Sequence, residues 1–303
     1  MKTQKLIIPF ALPQSMILSN SARNRFVLKG NILVIITLMA TLTACRTSEK
    51  VFLEKKSQEF TSQPLKDESI LTEQDIKHLP ACVQKYLTYT GAVGKSKIQN
   101  MYIEFDADMF RKPGDKPMKS HSVQYNFYGS YSRLFLMKAV KTGIPFRALH
   151  VYRNGQATFQ VKVAELFKVV DVSGEDLTKA ETVTLLNDMC IFAAGSLADN
   201  RLTWDEQDTL SVKVTLTNGR YVVSAILQFN ETGELVNFIS DDRSALQDDG
   251  TMKQVRWETP VSDYREFEGR MIPTYGKTIW NYPEGDFTYG VFTLKSIRYN
   301  IAE

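Results

Sequence analysis

The sequence predicts an α+β, β-dominated fold: a strongly curved antiparallel sheet, a half-barrel of about a dozen strands, with two helices packed on its concave face. Three observations predict it. Runs of alternating apolar and polar residues, rich in β-branched and aromatic side chains, recur from Met101 to the C-terminus. Asn-Gly and Gly-containing turns punctuate them at hairpin spacing. Helical spacing with start signals is confined to one stretch before the strands and one among them, and helices few against many strands must pack across a sheet face.

The first element is not part of that domain. Asn31-Ile-Leu-Val-Ile-Ile-Thr-Leu-Met-Ala-Thr-Leu-Thr-Ala44 is apolar but short for a bilayer span, follows Arg23, Arg25 and Lys29, and ends in Leu42-Thr-Ala-Cys45. A positive flank, an apolar run and small residues before a cysteine make a lipoprotein signal, so residues 1–44 are read as cleaved and Cys45 as the acylated anchor. Met16 is an alternative start. Residues 45–70, mostly Lys, Glu, Ser, Gln and Thr, read as a flexible tether, and 71–303 as a single β-rich domain.

Removing the signal changes the charge. The 37 basic residues include five in 1–44, which hold no acid, so the mature chain carries 32 against 34, a net −2. No basic stripe remains to argue for nucleic acid.

Thr72-Glu-Gln-Asp75 offers a cap. Pro80 then opens a helix with Leu79, Val83, Tyr86 and Leu87 on one face, expected to stop at Gly91. Met101–Asp108, Ser122–Tyr128, Arg133–Val140 and Ala148–Arg153 alternate as antiparallel strands. Asn154-Gly155 and Asn218-Gly219 signal two-residue hairpins, and Asn230–Gly233 and Tyr282–Gly285 longer ones. Thr178-Lys-Ala-Glu181 is a capping box opening a helix whose apolar residues wrap more than one stripe, which predicts burial all round. Cys82 and Cys190 both fall in helices and are expected as two buried thiols rather than a disulfide.

These residues match a known pattern. Leu79-Pro80-x-x-Val83-x-x-Tyr86-Leu87-x-x-x-Gly91, the segment from Thr178 to Trp204, Phe229-Asn-x-x-Gly233, Arg243, and Ile272-Pro273-x-x-Gly276-x-x-x-Trp280-x-x-Pro283-x-Gly285-x-Phe287-x-Tyr289 resemble a bacterial domain family of unknown function, over about residues 75–300. The resemblance implies a fold similar to the half-barrel of lipoprotein carriers, which shields acyl chains. It carries no activity, and fold alone assigns none.

There is no Gly-x-Ser-x-Gly elbow, and His78, His121 and His150 are isolated, without ligand-pair spacing, so neither metal nor cofactor is expected. His150 alternates opposite Leu149 and Val151 and reads as a surface or satisfied structural residue. Asp241-Asp242, Asp205-Glu206 and Asp248-Asp249 read as solvated turns. The aromatic residues of the second half, Trp204, Trp257, Trp280, Tyr282, Phe287 and Tyr289, form a core that lines an apolar pocket if the core is hollow. Arg243 pairs most simply with Asp241 or Asp242 at the surface; its alternative is a cation at a cavity mouth, suited to an anionic headgroup. Trp204, Arg243, Trp280 and Tyr289 are the candidate ligand-binding residues, with Cys45 the anchor.

The leading expectation is therefore a membrane-anchored envelope lipoprotein that binds a hydrophobic or amphiphilic ligand. An assembly lipoprotein predicts a solid core with an exposed apolar patch, and a carboxylate hydrolase predicts two acids converging in a cleft. Arg46, not Asp, follows the anchor, which favours the outer membrane where one exists.

Overall fold

The computed structural model describes residues 46–63 and 69–303. The signal segment 1–44 and the anchor Cys45 lie outside the described residues.

Alternation of small hydrophobics with polar residues dictates the first wing. Strands β1 (Asn100–Met109), β2 (Met118–Phe127), β3 (Ser132–Lys141), β4 (Ile144–Arg153), β5 (Gln156–Val163) and β6 (Phe167–Ser173) form an antiparallel meander. Asn154 and Gly155, at φ 53° and 66°, make the expected two-residue turn, because the twist of such a tight hairpin requires the left-handed region at both positions.

The second wing comprises β7 (Leu202–Glu206), β8 (Ser211–Asn218), β9 (Tyr221–Phe229), β10 (Leu235–Ser240), β13 (Arg256–Glu258), β14 (Val261–Phe267), β15 (Arg270–Tyr282) and β16 (Gly285–Tyr299). The β8–β9 loop is Gly219-Arg220 rather than Asn218-Gly219, since Asn218 still pairs with Tyr221. β16 closes back on β1, pairing Met101 with Tyr299 and Met109 with Gly290, and so joins the wings into one 14-stranded sheet. β11 (Ser244–Leu246) and β12 (Met252–Gln254) form a separate hairpin.

The sheet stays open: its path runs from β6 at one edge to β7 at the other. The connection between those edges is helix α4 (Glu175–Phe192) and the 3₁₀ turn Ala194–Ala198. α4 touches β4, β5 and β6 of one wing and β9, β10 and β15 of the other, which requires the sheet to bend around it. Fourteen of its 18 residues are buried, so it is a central rod rather than an amphipathic cover. The expected half-barrel with helices on the concave face is thus borne out.

The helix begins a turn earlier than its capping box predicts. Gly174, at φ 114°, is the cap, and Thr178 lies inside, its Oγ1 donating to Gly174 O at 2.7 Å and accepting from Ala157 N at 3.1 Å. Glu175 and Asp176 supply the negative first turn that the helix dipole favours. Glu181 is thereby released from capping and turns into the core.

The other concave-side helix, α3 (Ala81–Tyr89), follows Pro80 and buries Cys82, Val83, Tyr86 and Leu87 as expected. It ends before Gly91, whose φ of 64° suits only glycine without cost. Tyr86 Oη donates to Cys190 O at 2.7 Å and ties α3 to α4. Cys82 and Cys190 are both free and buried. A short helix, α2 (Glu73–Ile76), carries the Thr72–Asp75 capping box.

Within 45–70, read from sequence as a flexible tether, the described residues 46–63 depart from that reading. Ser48–Ser62 is a helix, α1, docked on the convex face of β3 and β4. Phe52 enters a small outer core with Phe127, Leu134, Leu136 and Leu149. Glu59 is buried against Arg153, and Glu49 accepts from Lys138 at 2.9 Å. The stretch has few apolar residues, but Val51, Phe52 and Phe60 fall where one helical stripe meets the outward residues of the strands.

Candidate ligand-binding cavity

Bending a sheet around one helix leaves space that side chains must fill or line. Here they line it: a cavity of about 330 Å³ lies between α4 and the concave face. Phe105, Phe135, Phe159, Phe192, Trp280 and Phe292 contribute its apolar walls. Hairpin β11–β12 folds over it, with Leu246 packed against the β4–β6 side and both Leu246 and Met252 facing the cavity.

Arg243, in the link between β10 and β11, stands in this cavity. Its guanidinium carbon lies 4.3 Å from the centre of the Trp257 ring and 5.0 Å from that of Trp280. Nε donates to Thr184 Oγ1 at 3.2 Å and Nη1 to Tyr289 Oη at 3.3 Å. Trp257 Nε1 donates to the same Tyr289 oxygen at 3.1 Å, and the Tyr289 ring stacks on Trp280 at 5.6 Å.

The surface ion pair expected for Arg243 does not form. Asp242 is held by Lys179 at 2.7 Å and by the backbone N–H of Ser224, and Asp241 faces Arg256. Neighbouring residues leave the chain in different directions, and Arg243 is sent inward to the two indole rings, which solvate a cation without neutralising it.

Three of the four candidates therefore converge: Arg243, Trp280 and Tyr289. Trp204 does not join them. It lies on edge strand β7, packs against the main core away from the cavity, and buries its Nε1 without a partner. Trp257 and Tyr282 line the cavity, and Phe287 is core.

A second polar group was not foreseen. Arg133 from β3 reaches α4, its Nε 2.8 Å from Asp188 Oδ2 and its Nη1 3.1 Å from Glu181 Oε2. Gln124 and Asn126 also donate to Asp188 Oδ2, at 2.8 and 3.0 Å. His150 stacks on Phe159 at 3.9 Å, with Nδ1 3.4 Å from Glu181 Oε1, inside ion-pair reach but without hydrogen-bond geometry.

Burial pushes the Glu181 carboxyl up, but His150, Arg133 and Arg243 overcome it and hold the group well below the usual carboxylate range. Burial raises Asp188, against the pull of Arg133 and Asn126. The paired carboxylates raise Arg133 despite its burial. Glu181 and Asp188 are two acids in one cleft, yet both are committed to a single guanidinium. That arrangement fixes helix to sheet and is poorly poised for proton transfer.

The signal for this group lay in α4 itself. A helix apolar all round that carries Glu181 and Asp188, seven residues apart and so on one face, must bury both and needs a cation opposite.

Asp205 and Glu206 are exposed at the sheet edge, and Asp248 and Asp249 sit at the tip of the β11–β12 hairpin. Among the described residues no group of three or more His, Cys, Asp or Glu is placed to hold a metal, and no helix is long and apolar enough to cross a membrane.

Comparison with curated proteins finds no match. Among solved structures, one described as an outer membrane lipoprotein-sorting protein domain from Vibrio parahaemolyticus aligns at TM-score 0.40 and 9% identity, over 67% of this chain and 86% of that one. A LolA superfamily protein from Nitrosomonas europaea aligns at TM-score 0.40 and 7% identity, over 73% of this chain and 94% of that one. The model of a family of unknown function, DUF6544, matches residues 69–292, a span from the strand bridge at Ile70 to β16 that takes in α3, α4, Arg243 and Trp280, and the chain belongs to that family.

Proposed function

We propose that this protein binds an amphiphile, its apolar part in the cavity and an anionic group on Arg243, and that it does so as a lipoprotein held to the cell envelope through Cys45. The observation that carries this reading is the placement of Arg243. It is a partly buried cation in an apolar cavity, cradled by Trp257 and Trp280; it feels the charge of Glu181, but that carboxylate is in contact with Arg133, and Arg243 itself makes no direct ion pair among the described residues. Its guanidinium keeps N–H groups free of carboxylate contact in an apolar surround, and a carboxylate or phosphate entering the cavity supplies the direct, charge-assisted partner.

The export signal, the lipobox and Arg46 after the cysteine support acylation and placement on the outer membrane where the cell has one. The test is native mass spectrometry of the mature protein from cell envelopes, followed by extraction of whatever leaves on denaturation. A stoichiometric anionic lipid is expected, with occupancy falling roughly tenfold or more in Arg243→Leu, since a charge-assisted hydrogen bond is lost. A mass that stays at the bare polypeptide after incubation with an envelope lipid extract defeats the proposal.

A further inference from the structure

Strand register puts three hairpin tips on one edge of the first wing: the β1–β2 connection 110–117, the β3–β4 turn 142–143 and the β5–β6 turn 164–166. Met109 faces Met118, Lys141 faces Ile144, and Phe146 on β4 faces Val163 on β5, so the tips lie side by side.

The chain enters the fold at this edge. Lys162 Nζ donates to Arg46 O at 2.7 Å, and Glu165 Oε2 accepts from both N and Oγ of Ser48, at 2.9 and 3.0 Å. Arg46, which follows Cys45 in the sequence, is thus held on β5 next to the β5–β6 turn, and Ser48 on the turn itself.

The same edge exposes apolar side chains. Six large hydrophobic residues are exposed among those described, and three of them, Val140 at 58%, Leu166 at 56% and Phe167 at 66%, lie here. Ala164 and Glu165 hold the turn at φ 50° and 58°, a region that non-glycine residues enter at a cost. The two bonds from Ser48 to Glu165 brace that turn, so the start of α1 and the display of Leu166 and Phe167 are one device.

The cavity opens here too. Lys116 and Lys141 line it while remaining exposed, as does Lys277 on β15, beside the pairing of Met109 with Gly290. None of the three pairs with a carboxylate among the described residues. The acids nearby include Asp115, Glu165, which is held by Ser48, Asp171, which pairs with Lys168, and Asp248 of the β11–β12 tip, which lies within the field of Arg111.

We propose that this edge rests on an anionic bilayer, with Leu166 and Phe167 in the headgroup region and Lys116, Lys141 and Lys277 against lipid phosphates. The cavity mouth then faces the membrane, and ligand passes between bilayer and cavity without crossing water. Apolar tips beside unpaired lysines are the chemistry that an anionic interface selects. The inference rests on the proposed acylation of Cys45 and on ligand binding, and each is read separately below.

The full-length protein is expressed in a bacterium, purified in detergent and reconstituted in phosphatidylethanolamine–phosphatidylglycerol vesicles containing brominated lipid. An environment-sensitive fluorophore is placed on Phe167→Cys or, as a control, on Val222→Cys, a position also more than half exposed but on β9. The label at 167 is expected to be quenched and that at 222 not. Equal, weak quenching at both positions in a membrane-bound protein overturns the proposal, and binding to a partner protein through these tips becomes the better account.

The mass of the Cys45 peptide reports acylation independently. If acyl chains are absent, sedimentation of the unlipidated full chain with the same vesicles tests the edge directly. Leu166→Asp with Phe167→Asp is expected to weaken binding roughly tenfold or more, and Lys141→Glu roughly fivefold or more. Unchanged binding in both variants overturns the proposal. Arg243→Leu, which empties the cavity under the proposed function, leaves quenching at 167 in place, so loss of ligand and loss of docking are told apart.

Discussion

Arg133 and Asp188, 55 residues apart in the chain, meet through a 2.8 Å hydrogen bond from Nε to Oδ2 where both side chains are buried. One guanidinium thereby joins the first wing of the sheet to the central helix at two points, Asp188 and Glu181.

Removing that guanidinium leaves two buried carboxylates without their cation. Arg133→Met is expected to lower stability by about 3–5 kcal/mol, and Asp188→Asn by less, about 1–3 kcal/mol, because an amide oxygen still accepts from its neighbours. Urea unfolding followed by tryptophan fluorescence measures both. An Arg133→Met midpoint equal to the parent's contradicts the assignment.

Glu181 gives the pair a pH signature. Its carboxyl is held below its ordinary value of 4.5, so its contribution to stability is complete above that pH and is lost as pH falls. Asp188, shifted upward, acts in the opposite sense, its contribution present at low pH and lost as pH rises. Glu181→Gln is therefore expected to be less stable than the parent at pH 7, with the gap closing below about pH 4.5. Thermal midpoints at a series of pH values read it; a gap that widens in acid reverses the sign and rejects the account.

Helix α1 is held to the convex face chiefly by Phe52, 3% exposed. Phe52→Ala removes an aromatic side chain at a cost of about 3–5 kcal/mol, which a peripheral helix meets by undocking. Hydrogen exchange over Ser48–Ser62 is expected to rise roughly a hundredfold while β2 and β3 stay protected. Uniform loss of protection shows instead that α1 unfolds only with the sheet.

Cys190 is fully buried, and burial pushes its thiol far above the ordinary range; Cys82 is raised for the same reason. Both are expected to resist maleimide until denaturant is added and then to react as two free thiols, counted by intact mass. Rapid labelling of the native protein excludes the packing of α3 against α4.

Local signals were legible in proportion to how local their cause is. The Asn154-Gly155 turn, the stop at Gly91 and the alternation of β1 to β4 depend on residues within a few positions, and all form as read. The Thr178-x-x-Glu181 pattern does not mark the helix start, because Ser/Thr-x-x-Glu is equally compatible with a helix interior when a glycine upstream begins the turn. The convergence of Arg243, Trp280 and Tyr289 was within reach because all three stand in motifs of the second wing. Trp204 shares only their residue type: the strand order puts it on edge strand β7, separated from β15 by β13, β10, β9 and β8.

What the sequence determined by itself is the kind of element along most of the chain from Pro80 onward, the free thiols, the largely buried central helix and the open curved sheet, because periodicity and turn chemistry act over short distances. What only the tertiary structure decided is which side chains share a space: Arg133 with Asp188 and Glu181, Arg243 with two indoles instead of its neighbouring aspartates, and a polar segment as a helix on the convex face. Those depend on pairing between strands and on the bend of the sheet around α4, which set contacts between residues far apart in the chain and leave no periodic trace in it.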